Sequence, residues 1–239
     1  MGKVQRVIEM FLKRLVRKRA LLNVQVISGV TMMAAMILFI SLPITSSPTA
    51  QTKETIVDEW ATVKAPPPPE LKPVTVDPKV TALLTLDIQK QNCNPERRPR
   101  CVASVPKIQG LLIEARAKGM HVIYSLAGEA SAADINNEVA PRTGEPIVKS
   151  GVDKFFGTDL EKILKEKGIK TVIVVGTAAH GAVLHTATGC ALRELKVIVP
   201  VDGMSAEDAY AEQYTAWHLV NGPGTRRQTT LTRISLIRF

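Results

Sequence analysis

From about residue 80 onward, short apolar runs alternate with longer segments in which apolar residues recur at helical spacing. Two of these longer segments end at Gly119 and Gly168, each just after a lysine, which is a typical helix stop. The apolar runs have the length of β-strands and cover residues 82–86, 122–126, 172–175 and 197–201.

Strands rich in Val and Ile that alternate with helices are typical of a parallel sheet covered on both faces. We therefore predict one α/β domain at residues 80–239, a three-layer α/β/α sandwich around a mainly parallel sheet. The segment 228–232 is expected to form its last edge strand.

The front of the chain has a different composition. Residues 1–23 are basic, with seven Lys or Arg side chains against Glu9 alone. The apolar run at residues 24–44 has close to the roughly 20 residues that a helix needs to cross a bilayer. Because the positive charge precedes this run, the domain behind it is expected to be exported. A cleaved signal peptide and a retained transmembrane anchor both fit this pattern.

Residues 45–79 are polar and rich in proline, with four consecutive prolines at 66–69. This composition favours an extended polyproline II spacer. We interpret the segment as a linker that holds the domain away from the membrane.

The formal net charge of +9 is concentrated in the basic front of the chain. The remainder is nearly balanced, which argues against nucleic acid as the main partner. Membrane association through the N-terminal segment is the expected use of this charge.

Three cysteines are present, and two of them lie close together. Cys93 and Cys101 enclose a loop rich in proline and charge just after the first predicted strand. In an oxidising compartment this spacing could close as a disulfide, the alternative being two unpaired thiols. Cys190 lies among small apolar residues and is expected to be a buried structural thiol.

Three segments carry a resemblance to a known family. The first strand ends in Leu86-Asp87-Ile88-Gln89, Lys149 precedes a Phe-x-Gly-Thr-x-Leu helix start, and the strand at 171–175 leads into the turn Gly176–Ala187. In this order, the three segments resemble the isochorismatase-like (cysteine hydrolase) superfamily over about residues 80–235. The family's usual nucleophilic cysteine aligns with Ala182.

The resemblance implies roles for several residues. Asp87 would be the acid/base and Lys149 its ionic partner, with Lys154 as an alternative. Ala178 and Ala182 would offer backbone N–H groups to an oxyanion, and a cis peptide bond is expected at Thr177-Ala178. By their positions, His180 near the helix start and Gln89 in the loop after Asp87 are candidate substrate-binding residues, although His180 could instead cap and pack, and Gln89 could hold its turn.

Alanine at position 182 has no reactive atom, so covalent thiol catalysis at this turn is excluded unless another group moves in. The isochorismatases proper share the Ala-His pair found at 179–180 and a small residue in place of the cysteine, and they cleave a vinyl ether by protonation and addition of water. We expect a thiol-independent small-molecule hydrolase of this kind, or alternatively a pseudoenzyme that keeps only ligand binding.

The remaining expectations concern ligands and partners. The four histidines lack the spacing of a metal-ligand set, so neither a metal nor another cofactor is expected. The partners expected are a small-molecule substrate, the membrane and, since members of this family commonly self-associate, a second copy of the chain.

Overall fold

The computed structural model describes residues 55–239. They belong to two compact units, one that ends at Ala61 and one that spans Thr62–Phe239. The described part of the first unit contains the short helix α1 (Ile56–Glu59). The predicted basic region and the apolar run at residues 24–44 lie outside the described residues. Within residues 55–239, no helix is both long enough and apolar enough to cross a membrane.

The second unit is built on a seven-stranded parallel sheet with the strand order β4-β3-β2-β5-β6-β8, in which β7 pairs in parallel with the last two residues of β5. A separate two-stranded parallel pair joins β1 to β9. The strands are β1 (Val74–Thr75), β2 (Thr81–Leu86), β3 (His121–Leu126), β4 (Ile147–Lys149), β5 (Thr171–Thr177), β6 (Lys196–Pro200), β7 (Met204–Ser205), β8 (Thr229–Thr232) and β9 (Ile237–Arg238).

Four helices connect the strands of the large sheet. Pro99 opens the first of them, where its missing N–H and fixed φ suit a helix start. The helices are α2 (Pro99–Ala117), α3 (Leu160–Glu166), α4 (Leu184–Leu192) and α5 (Ala209–Asn221).

The two faces of the sheet pack against different helices. In β2, Leu84 belongs to the apolar cluster that holds residues of α3, α4 and α5, whereas Leu83 belongs to the cluster that holds residues of α2. Val174 and Ile173 of β5 divide in the same way. Successive side chains of a strand thus pack on opposite faces of the sheet, and each face is covered by helices. The predicted three-layer sandwich is therefore confirmed.

The strand order reverses beside β2. From β2 the chain adds β3 and β4 on one side, then crosses to add β5, β6 and β8 on the other. In open α/β sheets, ligands bind at such a switch point, outside the carboxyl ends of the strands. Here those ends belong to β2 and β5, and we call this place the carboxyl edge of the sheet.

The four strands predicted from apolar runs and the edge strand β8 are present, but two features differ from the sequence prediction. The short strand β4 was not predicted, because its three residues lie among Pro, Lys and Gly and alternate only once. The linker is also shorter than predicted, since Val74 pairs with Ile237 and Val76 is buried within the proposed linker. The linker ends where β1 pairs with β9, and the composition of the linker alone does not predict this pairing.

Candidate active site

Asp87 is the first residue after β2 and lies at the carboxyl edge of the sheet, 5% exposed. The Ser125 hydroxyl donates to Asp87 Oδ1 at 2.7 Å, and Lys154 Nζ lies 2.8 Å from Asp87 Oδ2. The backbone of Asp87 has a φ of 52°, which few residues other than glycine adopt. Residues with such a backbone are found at functional sites more often than elsewhere.

Lys154 is fully buried and uses all three of its ammonium hydrogens. Besides Asp87, its Nζ donates to the carbonyls of Ser150 at 3.1 Å and Gly151 at 2.6 Å. Its backbone N–H donates to the Thr186 hydroxyl of α4 at 3.3 Å. The positive charge is therefore held in one position by both its own loop and the helix beside it.

The Asp87 carboxyl is under opposing influences. Burial raises its pKa and is the largest influence, while the charge and hydrogen bond of Lys154, the hydrogen bond from Ser125 and the more distant charge of Arg98 lower it. The net result is a pKa above the ordinary value of 3.8. A buried carboxyl with a raised pKa and a fixed cation beside it is suited to give and take a proton.

Lys149 does not contact Asp87, so the structure corrects the predicted pairing. Lys149 ends β4, which is separated from β2 by β3, and two strand spacings amount to about 10 Å. Its Nζ lies 3.6 Å from Glu129 Oε2, and its side chain is 47% exposed. The chain turns back after β4, and this turn brings the ammonium of Lys154 to Asp87 instead.

The turn between β5 and α4 lies beside Asp87, since Leu86 and Gly176 are register partners. Gly176 has a φ of 133°, and a Cβ built on it would come 2.1 Å from the Leu86 carbonyl oxygen, so only glycine fits there. The Thr177-Ala178 peptide bond is cis, as expected from the resemblance.

The turn continues into one wide, π-helical turn at Ala179–Val183. The Ala178 carbonyl accepts the N–H groups of Gly181 at 3.0 Å and Val183 at 3.2 Å. Ala182 is buried and belongs to the apolar cluster that includes Phe155. Its methyl group offers no nucleophile and no proton.

The two predicted substrate-binding residues differ in their surroundings. His180 is exposed in the wide turn. Gln89 is buried, its Nε2 donates to the Ala127 carbonyl at 3.2 Å, and its Oε1 accepts the Ala127 N–H at 2.7 Å. The Gln89 amide thus ties the loop after β2 to the loop after β3, which is the turn-holding alternative.

The sequence did not single out Arg98 or Ser125. Arg98 lies in the loop just before α2, its side chain is 10% exposed, and its Nη2 donates to Glu207 Oε1 at 3.3 Å. Ser125 is a strand residue among apolar neighbours in β3, and only the pairing of β3 with β2 brings its hydroxyl to Asp87. Arg98 was missed because it lies in a charged loop next to a proline, where the sequence shows no regular spacing of apolar residues that would mark it as buried.

Cys93 and Cys101 form the disulfide that their spacing predicted. The bond closes the loop that contains Arg98 and anchors it on the first turn of α2. Cys190 is buried, and burial raises the pKa of its thiol, which keeps it protonated and unreactive. Within residues 55–239, no three His, Cys, Asp or Glu side chains group as a metal-ligand set.

Comparison with known proteins agrees with this fold. The fold resembles that of a cysteine hydrolase from Pseudomonas syringae pv. phaseolicola, with a TM-score of 0.60 and 24% identity over 70% of this chain and 94% of that one. It also resembles a nicotinamidase from Staphylococcus aureus, with a TM-score of 0.58 and 19% identity over 65% of this chain and 99% of that one.

Two curated proteins are similar in sequence. A secreted isochorismatase effector of Verticillium dahliae is 30% identical over 57% of this chain and 78% of its own length. An N-carbamoylsarcosine amidase from an Arthrobacter species is 27% identical over 45% of this chain and 51% of its own length. Residues 81–231 match the model of the isochorismatase domain. The chain therefore belongs to the isochorismatase domain family.

Proposed function

We propose that this protein is a small-molecule hydrolase that works without a thiol, with Asp87 as general acid/base and Lys154 as its charge partner. The observation that carries the proposal is the buried Asp87 carboxyl, which Ser125 and Lys154 hold at the carboxyl edge beside the β5–α4 turn. Position 182 corresponds in this proposal to the family's cysteine, and its alanine removes the covalent route.

The proposed chemistry is the cleavage of a vinyl ether. Protonated Asp87 gives its proton to the methylene carbon, and the adjacent ether carbon becomes an oxocarbenium ion. Water adds to that carbon, and the Asp87 carboxylate takes back a proton from the water. The resulting hemiketal collapses to an alcohol and a ketone.

Lys154 stabilises the Asp87 carboxylate in the interval when its proton is on the substrate. Burial does the opposite and favours the protonated form before the reaction. The two influences together keep both protonation states accessible, which a proton donor that must be regenerated in each cycle requires.

A second candidate is a binding module that has lost its chemistry. Both Asp87 oxygens and all three hydrogens of the Lys154 ammonium already have partners within the protein, and Ala182 supplies no reactive group. In this alternative the site binds a ligand without turning it over.

We further propose that the domain is exported. The basic and apolar segments at the front of the chain, the Cys93–Cys101 disulfide and the secreted Verticillium relative support this location. Protease treatment of cells with a permeabilised outer envelope, and of fully lysed cells, tests it: a domain digested only after full lysis would overturn export across the cytoplasmic membrane.

The test of activity uses the full-length protein in mild detergent, with vinyl ethers of the isochorismate type and a panel of small amides. Asp87→Asn is the informative variant, and Asp159→Asn, an exposed aspartate before α3, is the matched control. We expect turnover of a vinyl ether that Asp87→Asn abolishes and Asp159→Asn preserves. Binding of a panel compound without turnover favours the binding module, and turnover that survives Asp87→Asn contradicts the proposed role of Asp87.

A further inference from the structure

Arg98 stands at the carboxyl edge between two loops. It lies within the loop closed by the Cys93–Cys101 disulfide, and its backbone is bonded inside that loop, through its N–H to the Asn94 carbonyl at 2.9 Å and through its carbonyl to the Cys101 N–H at 2.9 Å. Its side chain reaches Glu207, two residues beyond β7. Because β7 pairs with the end of β5, this contact lies at the carboxyl edge of the sheet, on which the Asp87 carboxyl also lies.

The guanidinium of Arg98 is incompletely satisfied. Its Nε is buried and has no hydrogen-bond partner among the described residues, and Nη2 makes one long contact of 3.3 Å to Glu207. Nε and Nη2 form the edge with which arginine grips a carboxylate in two parallel bonds, as Arg100 does with Glu212. A buried donor without a partner is unfavourable, and a ligand that supplies the acceptor would remove that cost.

Glu207 binds this edge of the Arg98 guanidinium only weakly. Its side chain is 54% exposed, and Arg97 approaches the same carboxylate at 3.6 Å, so two arginines share one acid. A second buried donor without a partner, the Ser205 hydroxyl, lies at the end of β7 on the same edge of the sheet. The surroundings therefore carry an excess of positive charge and of unused donors.

We propose that Arg98 binds the carboxylate of an anionic small molecule, which displaces Glu207 and takes the Nε–Nη2 edge. This inference rests on the proposed function in one respect, the orientation of the ligand. With its carboxylate on Arg98, the ligand's reactive part would face Asp87. The disulfide loop positions the arginine, and Glu207 competes with the ligand for the Nε–Nη2 edge.

The test measures binding alone, by saturation-transfer NMR on the full-length protein in mild detergent. The probes are pyruvate and its neutral amide, pyruvamide, which match in size and differ in charge. We expect pyruvate to bind at least about tenfold more tightly than pyruvamide, because only the carboxylate makes two charge-assisted bonds. Arg98→Gln should lose that preference, whereas Arg97→Gln, which removes the same charge from an exposed neighbour, should keep it.

Glu207→Gln provides a second test if Arg98→Gln fails to fold, since Glu207 is exposed. Removing the competing carboxylate should tighten pyruvate binding by about threefold or more, while Glu96→Gln, an exposed acid of the same loop, should change it little. Three results would each overturn the proposal: no pyruvate binding by the wild type, equal losses in Arg98→Gln and Arg97→Gln, or unchanged binding in Glu207→Gln. Asp87→Asn should still bind pyruvate, so failure of the proposed chemistry is separable from failure of this site.

Discussion

The ammonium of Lys154 lies 2.8 Å from the carboxylate of Asp87, and both side chains are buried, Asp87 just after β2 and Lys154 in the loop between β4 and α3. Two backbone carbonyls fix the lysine, and a serine hydroxyl fixes the aspartate. The pair is therefore a rigid unit, and its energetics lead to the first two predictions.

Lys154→Met should destabilise the protein by about 3–5 kcal/mol, because it leaves a buried carboxylate without its cation. The matched variant Lys149→Met removes an exposed lysine and should change stability by less than about 1 kcal/mol. Urea unfolding of both variants near pH 7 checks this. Equal losses of stability in the two variants would mean that the Asp87–Lys154 pair contributes no more to the free energy of unfolding than an exposed lysine does.

The raised pKa of Asp87 predicts a dependence of stability on pH. In the folded state Asp87 holds its proton above its ordinary pKa of 3.8, whereas the unfolded chain has already released it. The corresponding contribution to stability is fully present below 3.8 and is lost as the pH rises through the folded pKa. Unfolding free energies measured across this range should show the wild type losing stability relative to Asp87→Asn, and a constant difference would contradict the raised pKa.

Gly176→Ala should prevent folding or destabilise the protein by more than about 4 kcal/mol, because its Cβ would collide with the Leu86 carbonyl between two central strands. Gly110 is the matched control, since it lies on the exposed side of α2 with open space around it. Gly110→Ala should stabilise the helix by about 0.5–1 kcal/mol. Thermal unfolding of both variants distinguishes the two sites, and a mild effect at Gly176 would mean that β2 and β5 can separate there.

In the proposed function position 182 faces the Asp87–Lys154 pair, and a cysteine near a fixed ammonium has a lowered pKa, so Ala182→Cys should create a reactive thiol. The internal control is Cys190, the free thiol of the wild type, which burial keeps unreactive. Alkylation by iodoacetamide at pH 7, followed by mass spectrometry, should label position 182 well before position 190. Labelling no faster than that of Cys190 would place position 182 outside the influence of Lys154.

The Cys93–Cys101 disulfide closes a short loop, and its removal should cost about 2–3 kcal/mol through the greater freedom of the unfolded chain. The double variant Cys93→Ser, Cys101→Ser should also weaken pyruvate binding, because the loop positions Arg98. Urea unfolding and the NMR binding measurement report the two effects separately. A loss of stability with intact binding would show that the loop holds Arg98 without the bond.

Much of the fold was predictable because it follows from local pattern. The apolar runs predicted the strands β2, β3, β5 and β6. The position of Asp87 at the end of β2 indicated the candidate site. The strand β4 was missed because it is too short to show a period. Gln89 was predicted as a ligand-binding residue, yet its amide is bonded to Ala127, a neighbour supplied by the adjacent loop.

The sequence alone determined the family resemblance and the parallel α/β architecture, because local motifs and the alternation of apolar runs carry them. It also placed an acid at position 87, directly after the first predicted strand. Tertiary structure decided that Lys154, and not Lys149, neutralises Asp87, since the interposition of β3 sets that distance. It also decided that Arg98 is buried with an unused donor. Contacts between distant segments depend on strand order and loop closure, and neither leaves a periodic signal along the chain.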